Sequence, residues 1–217
     1  MTRFAIRERR SLNNAWQFEA SAGGQLRSVE RLNPIIQEGE LAGDFISRHR
    51  LWLLEPRAHW TGAWFRPLTV GAELRIEGQR DGQIGEESAR VAALYGQNRF
   101  TTHCCEVEVG IRLDDHSLYG MQLSPRISGA WRVVTGIVVH GAFGRAFVAP
   151  EFDDLFRPTE RFREPVAGYV GETGNRDLKP ERVWAGDVGL RWLGHLQGEA
   201  GFYWSRYRNL FHPDAIS

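Results

Sequence analysis

The side chains with the most obvious capacity for acid–base, nucleophilic or metal chemistry are the histidines and an adjacent pair of cysteines. His59, His103, His116, His140 and His195 are scattered along the chain. None stands in an HExxH or similar spacing that would turn two imidazoles toward one metal. No GxSxG elbow and no glycine-rich phosphate loop follows a candidate strand. Cys104 and Cys105 are neighbours, so a bond between them would be strained, and no CxxC or Cys/His spacing suggests zinc. They read as inert strand residues. Asp114, Asp115 and His116 form one local group that could ligate a metal at a loop tip, as could Asp153 and Asp154, but acidic loop tips are ordinarily just solvated. Arg157, Arg161 and Arg163 would suit an anionic ligand, against a plainer reading in which Glu160 and Glu164 balance them in a solvated loop. The expectation is a protein that is not an enzyme and needs no cofactor.

The elements that would position these residues are strands. Val70, Ala72, Leu74 and Ile76 alternate with Gly71, Glu73, Arg75 and Glu77, a period of two that a helix would scatter around its circumference. Val107, Val109, Ile111 and Leu113 alternate in the same way with Glu106, Glu108, Gly110 and Arg112. Trp184, Gly186, Val188, Leu190 and Trp192 oppose Ala185, Asp187, Gly189 and Arg191, and Ala200, Phe202 and Trp204 oppose Glu199, Gly201, Tyr203 and Ser205. Weaker runs cover Leu12 to Ser21, ended by Gly23-Gly24, and the stretches that begin near Arg57, Val91, Ile127 and Val139.

Between the runs, Gln25 to about Arg50, Gly78 to Ser88, Asp114 to Ser124 and Phe147 to Arg182 read as long polar connections. Those near Pro67, Gln97 to Thr102, Thr135-Gly136 and Gly194 read as short ones. Short and long therefore alternate, as they do in a membrane barrel with tight turns at one end and long loops at the other.

Lys plus Arg and Asp plus Glu both number 27, so no net charge draws the chain to nucleic acid or to an anionic surface. No run approaches the roughly 18 apolar residues of a spanning helix. A transmembrane barrel is not excluded by this, because only alternate residues meet lipid. The fold class expected is all-β: an antiparallel transmembrane β-barrel fragment of about nine meander strands, with short periplasmic turns and long extracellular loops. Glu73, Arg75, Glu106, Glu108, Arg112, Asp187, Arg191 and Glu199 would then face the lumen. Trp64, Trp131, Trp184 and Trp192, near strand ends on the apolar face, would form an aromatic girdle.

Three phrases carry a family likeness. Phe143 to Phe156 contains Gly-Arg-Ala-Phe-Val-Ala-Pro-Glu-Phe-Asp-Asp-Leu-Phe, and Gly174 to Glu181 reads Gly-Asn-Arg-Asp-Leu-Lys-Pro-Glu. Upstream stand Gly110-Ile-Arg-Leu-Asp-Asp-His-Ser117 and Ser124-Pro-Arg126. In this order they resemble the C-terminal half of the TonB-dependent outer-membrane receptors, with Val148 where Arg is usual and Arg176 where Pro is usual.

The resemblance implies part of a receptor barrel over residues 1–217, without the plug domain, and an outer-membrane location. It implies energy-coupled uptake of a scarce chelate such as a ferric siderophore, haem or cobalamin, with the lipid of the outer membrane and a small metal chelate as partners. TonB is a partner of the full-length parent only. It also gives Asp153 and Asp154 a structural place in a family loop. The N-terminus, with Arg3, Arg7, Glu8, Arg9 and Arg10, has no apolar signal-peptide core. Two alternatives stand beside this reading: a soluble or surface β-sandwich binding module with no transport role, and a complete small barrel acting as a pore or a membrane enzyme.

Overall fold

The computed structural model describes residues 1–31, 36–37, 40–41, 45–62, 67–82, 84–156, 162–164, 168–170, 174–194 and 196–210. Ten strands of one antiparallel sheet dominate: β1 (Thr2–Ser11), β2 (Trp16–Arg31), β3 (Phe45–Trp60), β4 (Leu68–Asp81), β5 (Gly85–Thr101), β6 (Cys105–His116), β7 (Gly120–Val134), β8 (Ile137–Val148), β9 (Glu181–Leu193) and β10 (Gln197–Arg208). Each pairs with its neighbours in chain order, so the sheet is an uninterrupted meander open at β1 and β10. Two small ladders, Ile36–Gln37 with Glu40–Leu41 and Phe162–Glu164 with Gly168–Val170, lie within the longer connections. A single described helical turn, α1 (Phe152–Phe156), follows β8.

Several sequence expectations are corrected. The main sheet has ten strands, and the charged N-terminal segment is the first of them. β2 runs straight through Gly23-Gly24, because Phe4 and Trp52 lie across these glycines from the flanking strands, their rings 5.7 Å apart edge to face. A Cβ on Gly24 would meet the Phe4 ring at 2.7 Å, so here glycine makes room for aromatic packing. Gln25 to Arg31 and Phe45 to Arg50 are strand, which leaves only residues 32–44 as a connection.

The expected long loops at Gly78 to Ser88 and Asp114 to Ser124 are tight turns on elongated hairpins. The ladder continues through Gln79↔Glu87 and Asp81↔Gly85 in one, and through Asp114↔Gln122 and His116↔Gly120 in the other. Gly85 and Gly120 supply the positive φ that closes these turns. The short connection expected at Gln97 to Thr102 shrinks to residues 102–104. Connections at one rim, the turn rim, are therefore residues 12–15, 61–67, 102–104, 135–136 and 194–196. The opposite loop rim carries residues 32–44, 82–84, 117–119 and 149–180. Both long connections share the loop rim, but strict short/long alternation does not hold.

The register sorts the side chains by face. Leu74 pairs with Leu54 on one side and Ala92 on the other, and Ile111, Ile127, Phe143, Val188 and Phe202 continue the same face across the sheet. The large apolar residues among these are exposed, from 45% for Leu74 to 67% for Phe202, so a wide apolar surface has nothing covering it among the described residues. In water such a face is an association hazard, whereas a bilayer satisfies it. The sandwich alternative needs a second sheet over this face, and the ten strands form one sheet.

Near the turn rim the apolar face carries Trp131 and Trp192, joined by Trp16 and Trp60, whose rings lie 6.1 Å apart. Trp184 lies toward the loop rim and stacks on Phe143 at 5.3 Å, and Trp64 falls outside the described residues. Among the described residues the buried apolar ones are few, namely Ala89, Val91, Ala93 and Leu155. They belong to β5 and α1, on the other face.

Candidate functional site: the polar face and its loop-rim cap

The other face is polar because every second residue on these strands is charged or small, and pairing in register sets those side chains opposite one another. Glu73, Arg75, Glu106, Glu108, Arg112, Asp187, Arg191 and Glu199 all lie on it. The wall neutralises most of its own charge. Glu19, 4% exposed, meets Arg9 at 2.7 Å, Arg57 at 2.8 Å and Arg7 at 3.5 Å. Arg57 also approaches Glu55 at 3.8 Å, and Glu55 accepts the Tyr95 hydroxyl proton at 2.7 Å.

The Arg112 guanidinium sits over the Tyr95 ring, 5.9 Å from its centroid, and bridges Glu73 at 3.0 Å and Asp114 at 2.8 Å. A path of ion pairs, the Tyr95–Glu55 hydrogen bond and the Arg112–Tyr95 cation–π contact thus runs from β1 to β6. Tyr95 reaches across the polar face because Gly71 opposite it has no side chain; its ring occupies the space a Cβ would take.

A second group joins Arg99 to Glu108 at 2.8 Å and to Glu106 at 3.5 Å, with Arg126 on the other Glu108 oxygen at 2.6 Å. A third joins Arg191 to Glu199 at 2.9 Å, with His140 Nε2 3.0 Å from the same carboxylate. Arg75 lies 3.1 Å from Glu77. Asp187 lines a cleft of about 300 Å³ with Arg99, Glu106, Glu108 and His140. The members that sequence reasoning did not nominate include Arg7, Arg9, Glu19, Arg57, Glu55, Glu77, Tyr95, Arg99 and Arg126. Glu19 and Arg57 already stood in the polar series of their runs, but the connection assumed between Gln25 and Arg50 hid that β2 and β3 are partners.

At the loop rim α1 folds back against the polar face. Gln79 Nε2 donates to Asp153 Oδ1 at 2.7 Å, the Glu151 amide donates to Asp154 Oδ2 at 2.9 Å, and the Asn175 amide donates to the Asp154 carbonyl at 2.8 Å. Leu155 is 3% exposed, and the Arg176 guanidinium covers the Phe156 ring at 5.0 Å. Asp153 and Asp154 are thereby tied up as acceptors that hold the cap. In the nearby 117–119 turn, burial and the Asp154 charge push the Tyr119 phenol up to about 12.

His116 is buried beside the Tyr119 ring at 4.8 Å and accepts the Leu118 amide on Nδ1, while Asp114 turns to Arg112, so the Asp/Asp/His group does not converge. Among the described residues no three His, Cys, Asp or Glu side chains gather around a common point. His59 meets the Thr69 hydroxyl at 2.9 Å, His103 is exposed in a turn, and His195 lies outside the described residues. Arg157 and Arg161 also lie outside them; Arg163 belongs to the small ladder, opposite Tyr169.

A sheet wall with one uncovered apolar face, one internally neutralised polar face and its long connections at one rim defines a barrel-wall protein. The family model described as TonB dependent receptor-like, beta-barrel, matches residues 2–216, and the chain belongs to that family. It is 27% identical over 132 residues to the Vitamin B12 transporter BtuB of Photobacterium profundum, a stretch that is 57% of this chain and 19% of that relative. Its fold is similar to that of a mutant ferric enterobactin receptor, PfeA, from Pseudomonas aeruginosa, with TM-score 0.81 and 16% identity over 95% of this chain and 34% of the receptor. It is also similar to the siderophore receptor PirA from the same organism, with TM-score 0.67 and 18% identity over 94% of this chain and 45% of that one. The chain thus spans about a fifth of the curated relative and about a third to under a half of the solved receptors.

Proposed function

We propose that this chain is a wall segment of an outer-membrane TonB-dependent transport receptor, and that the protein to which the wall belongs takes up a scarce chelate such as a ferric siderophore, haem or cobalamin. The observation that carries the reading is the separation of faces: across the sheet the large apolar side chains gather on one face and most ion pairs on the other, the exceptions among the described pairs being Glu8–Arg10 on β1 and the loop-rim pairs of Glu86 with Arg50 and Arg80. The apolar face meets lipid, and each inner strand pairs with a neighbour on both sides, as a hydrocarbon environment demands of backbone groups.

The polar face, with Glu73, Arg75, Glu106, Glu108, Arg112, Asp187, Arg191 and Glu199, lines the lumen. The turn rim is periplasmic and the loop rim extracellular, which places Arg157, Arg161 and Arg163 among the segments that meet an anionic chelate. No residue of this wall acts as a catalyst. TonB supplies energy coupling to the whole receptor.

The test is uptake of each chelate by a Gram-negative host that lacks its own receptors and carries the complete reading frame containing this chain, with and without TonB. Uptake of one chelate that disappears without TonB is expected. Equal growth in both hosts on every chelate, or recovery of the product outside the outer membrane, sinks the proposal.

A further inference from the structure

Successive residues of a strand point to opposite faces, so two adjacent cysteines in regular β structure cannot share a ligand. Cys104 and Cys105 are not both in regular structure. The turn joining β5 and β6 comprises residues 102–104, and Cys105 is the first residue of β6. The Thr102 amide donates to the Cys105 carbonyl at 2.7 Å and the Arg132 amide to the Cys104 carbonyl at 2.7 Å, so the backbone is held on both sides.

Within this turn both sulfurs lie against one atom: the Thr102 hydroxyl oxygen is 3.0 Å from Cys105 Sγ and 3.7 Å from Cys104 Sγ. Both are free thiols, Cys104 exposed and Cys105 partly covered. Cys105 also borders an apolar cleft of about 280 Å³ lined by Val107, Trp131, Val139 and Val188. One thiol is thus open to solvent, and the other borders apolar side chains.

We propose that Cys104 and Cys105 form a two-coordinate dithiolate site for Cu(I). Thiolates select soft ions, which among biological metals leaves Cu(I), zinc and iron–sulfur clusters. Zinc and the clusters require four protein ligands or three plus an open position. Among the described residues no third His, Cys, Asp or Glu joins the pair, so only an ion satisfied by two sulfurs fits. Binding changes no oxidation state: the two S–H bonds break, both protons leave to solvent, and two S–Cu bonds form. Thr102 is the positioning residue, its hydroxyl keeping the sulfurs on one side of the turn. The site rests on the turn geometry and is independent of what the receptor transports.

The experiment is an anaerobic titration of the reduced chain in detergent micelles with Cu(I), in competition with a chromophoric Cu(I) chelator. One ion per chain is expected, with an X-ray absorption signature of two sulfur neighbours. Because the second sulfur acts at high effective concentration, Cys104→Ser and Cys105→Ser should each weaken binding about 100-fold. Thr102→Ala should weaken it less and keep the stoichiometry. Circular dichroism confirms that the variants keep their strands; should Cys105→Ser lose them, Cys104→Ser, at an exposed position, decides alone. Two ions per chain, single-serine variants that bind like the parent, or equal affinity in chain unfolded by guanidinium would each overturn the proposal.

Discussion

Leu74→Arg separates a membrane wall from a soluble sheet. Leu74 is 45% exposed on the apolar face of β4, six residues beyond Leu68 at the turn rim. At about 3.4 Å per residue and a tilt of roughly 40°, it stands ~16 Å from that rim, near the middle of an apolar band ~25 Å tall. An arginine on the lipid face at that depth costs ~2–4 kcal/mol. The same change at a half-exposed position of a protein in water stays within about 0.5 kcal/mol. Glu87→Arg is the control, since Glu87 stands opposite Gln79 near the loop rim, above the band.

The assay is urea unfolding of parent and variants in lipid vesicles, followed by tryptophan fluorescence. A loss of ~3 kcal/mol for Leu74→Arg against less than ~1 kcal/mol for the control is expected. Equal small losses for both would refute the assignment of the apolar face to lipid.

The loop-rim cap should be separable from the wall. Leu155→Ala removes the only buried apolar side chain of α1 and should cost ~2 kcal/mol, the low end for a buried leucine. Amide exchange at Glu151 and Asn175, whose N–H groups are bonded to Asp154, should then speed up roughly 30-fold, while β4 amides stay protected; unchanged exchange at those two amides would show that Leu155 does not hold the cap. At the turn rim, Gly136 has φ +85°, and a Cβ there would lie 2.6 Å from the Leu193 carbonyl oxygen. Gly136→Ala should therefore cost about 1–3 kcal/mol in the same urea assay, and a neutral result would contradict the left-handed turn between β7 and β8.

What was legible in the sequence, and why the rest was not, follows from the two environments a barrel wall meets. On the proposed reading, a strand that crosses the apolar band keeps every second side chain apolar against lipid and the alternate ones polar. The runs at Val70 to Ile76, Val107 to Leu113 and Trp184 to Trp192 were therefore readable one by one, and Glu73, Arg112 and Asp187 could be assigned to one face. Beyond the band both faces are wet, the alternation ends, and the backbone ladder continues without it.

That is why Gly78 to Ser88 and Asp114 to Ser124 read as loops although they are the tops of hairpins. It is also why the charged β1, with Glu8 and Arg10 on the same face as Phe4 and Ile6, escaped notice. The sequence by itself determined the face of each residue within the band and the family likeness of the Gly144 to Glu181 phrases. Only tertiary structure decided the pairing of β2 with β3, and with it the Glu19–Arg57–Glu55–Tyr95–Arg112 path. It alone also showed the docking of α1 on Gln79 and the convergence of two adjacent thiols on Thr102. Each depends on residues brought together by register or by a turn, and neither periodicity nor spacing along one strand carries that information.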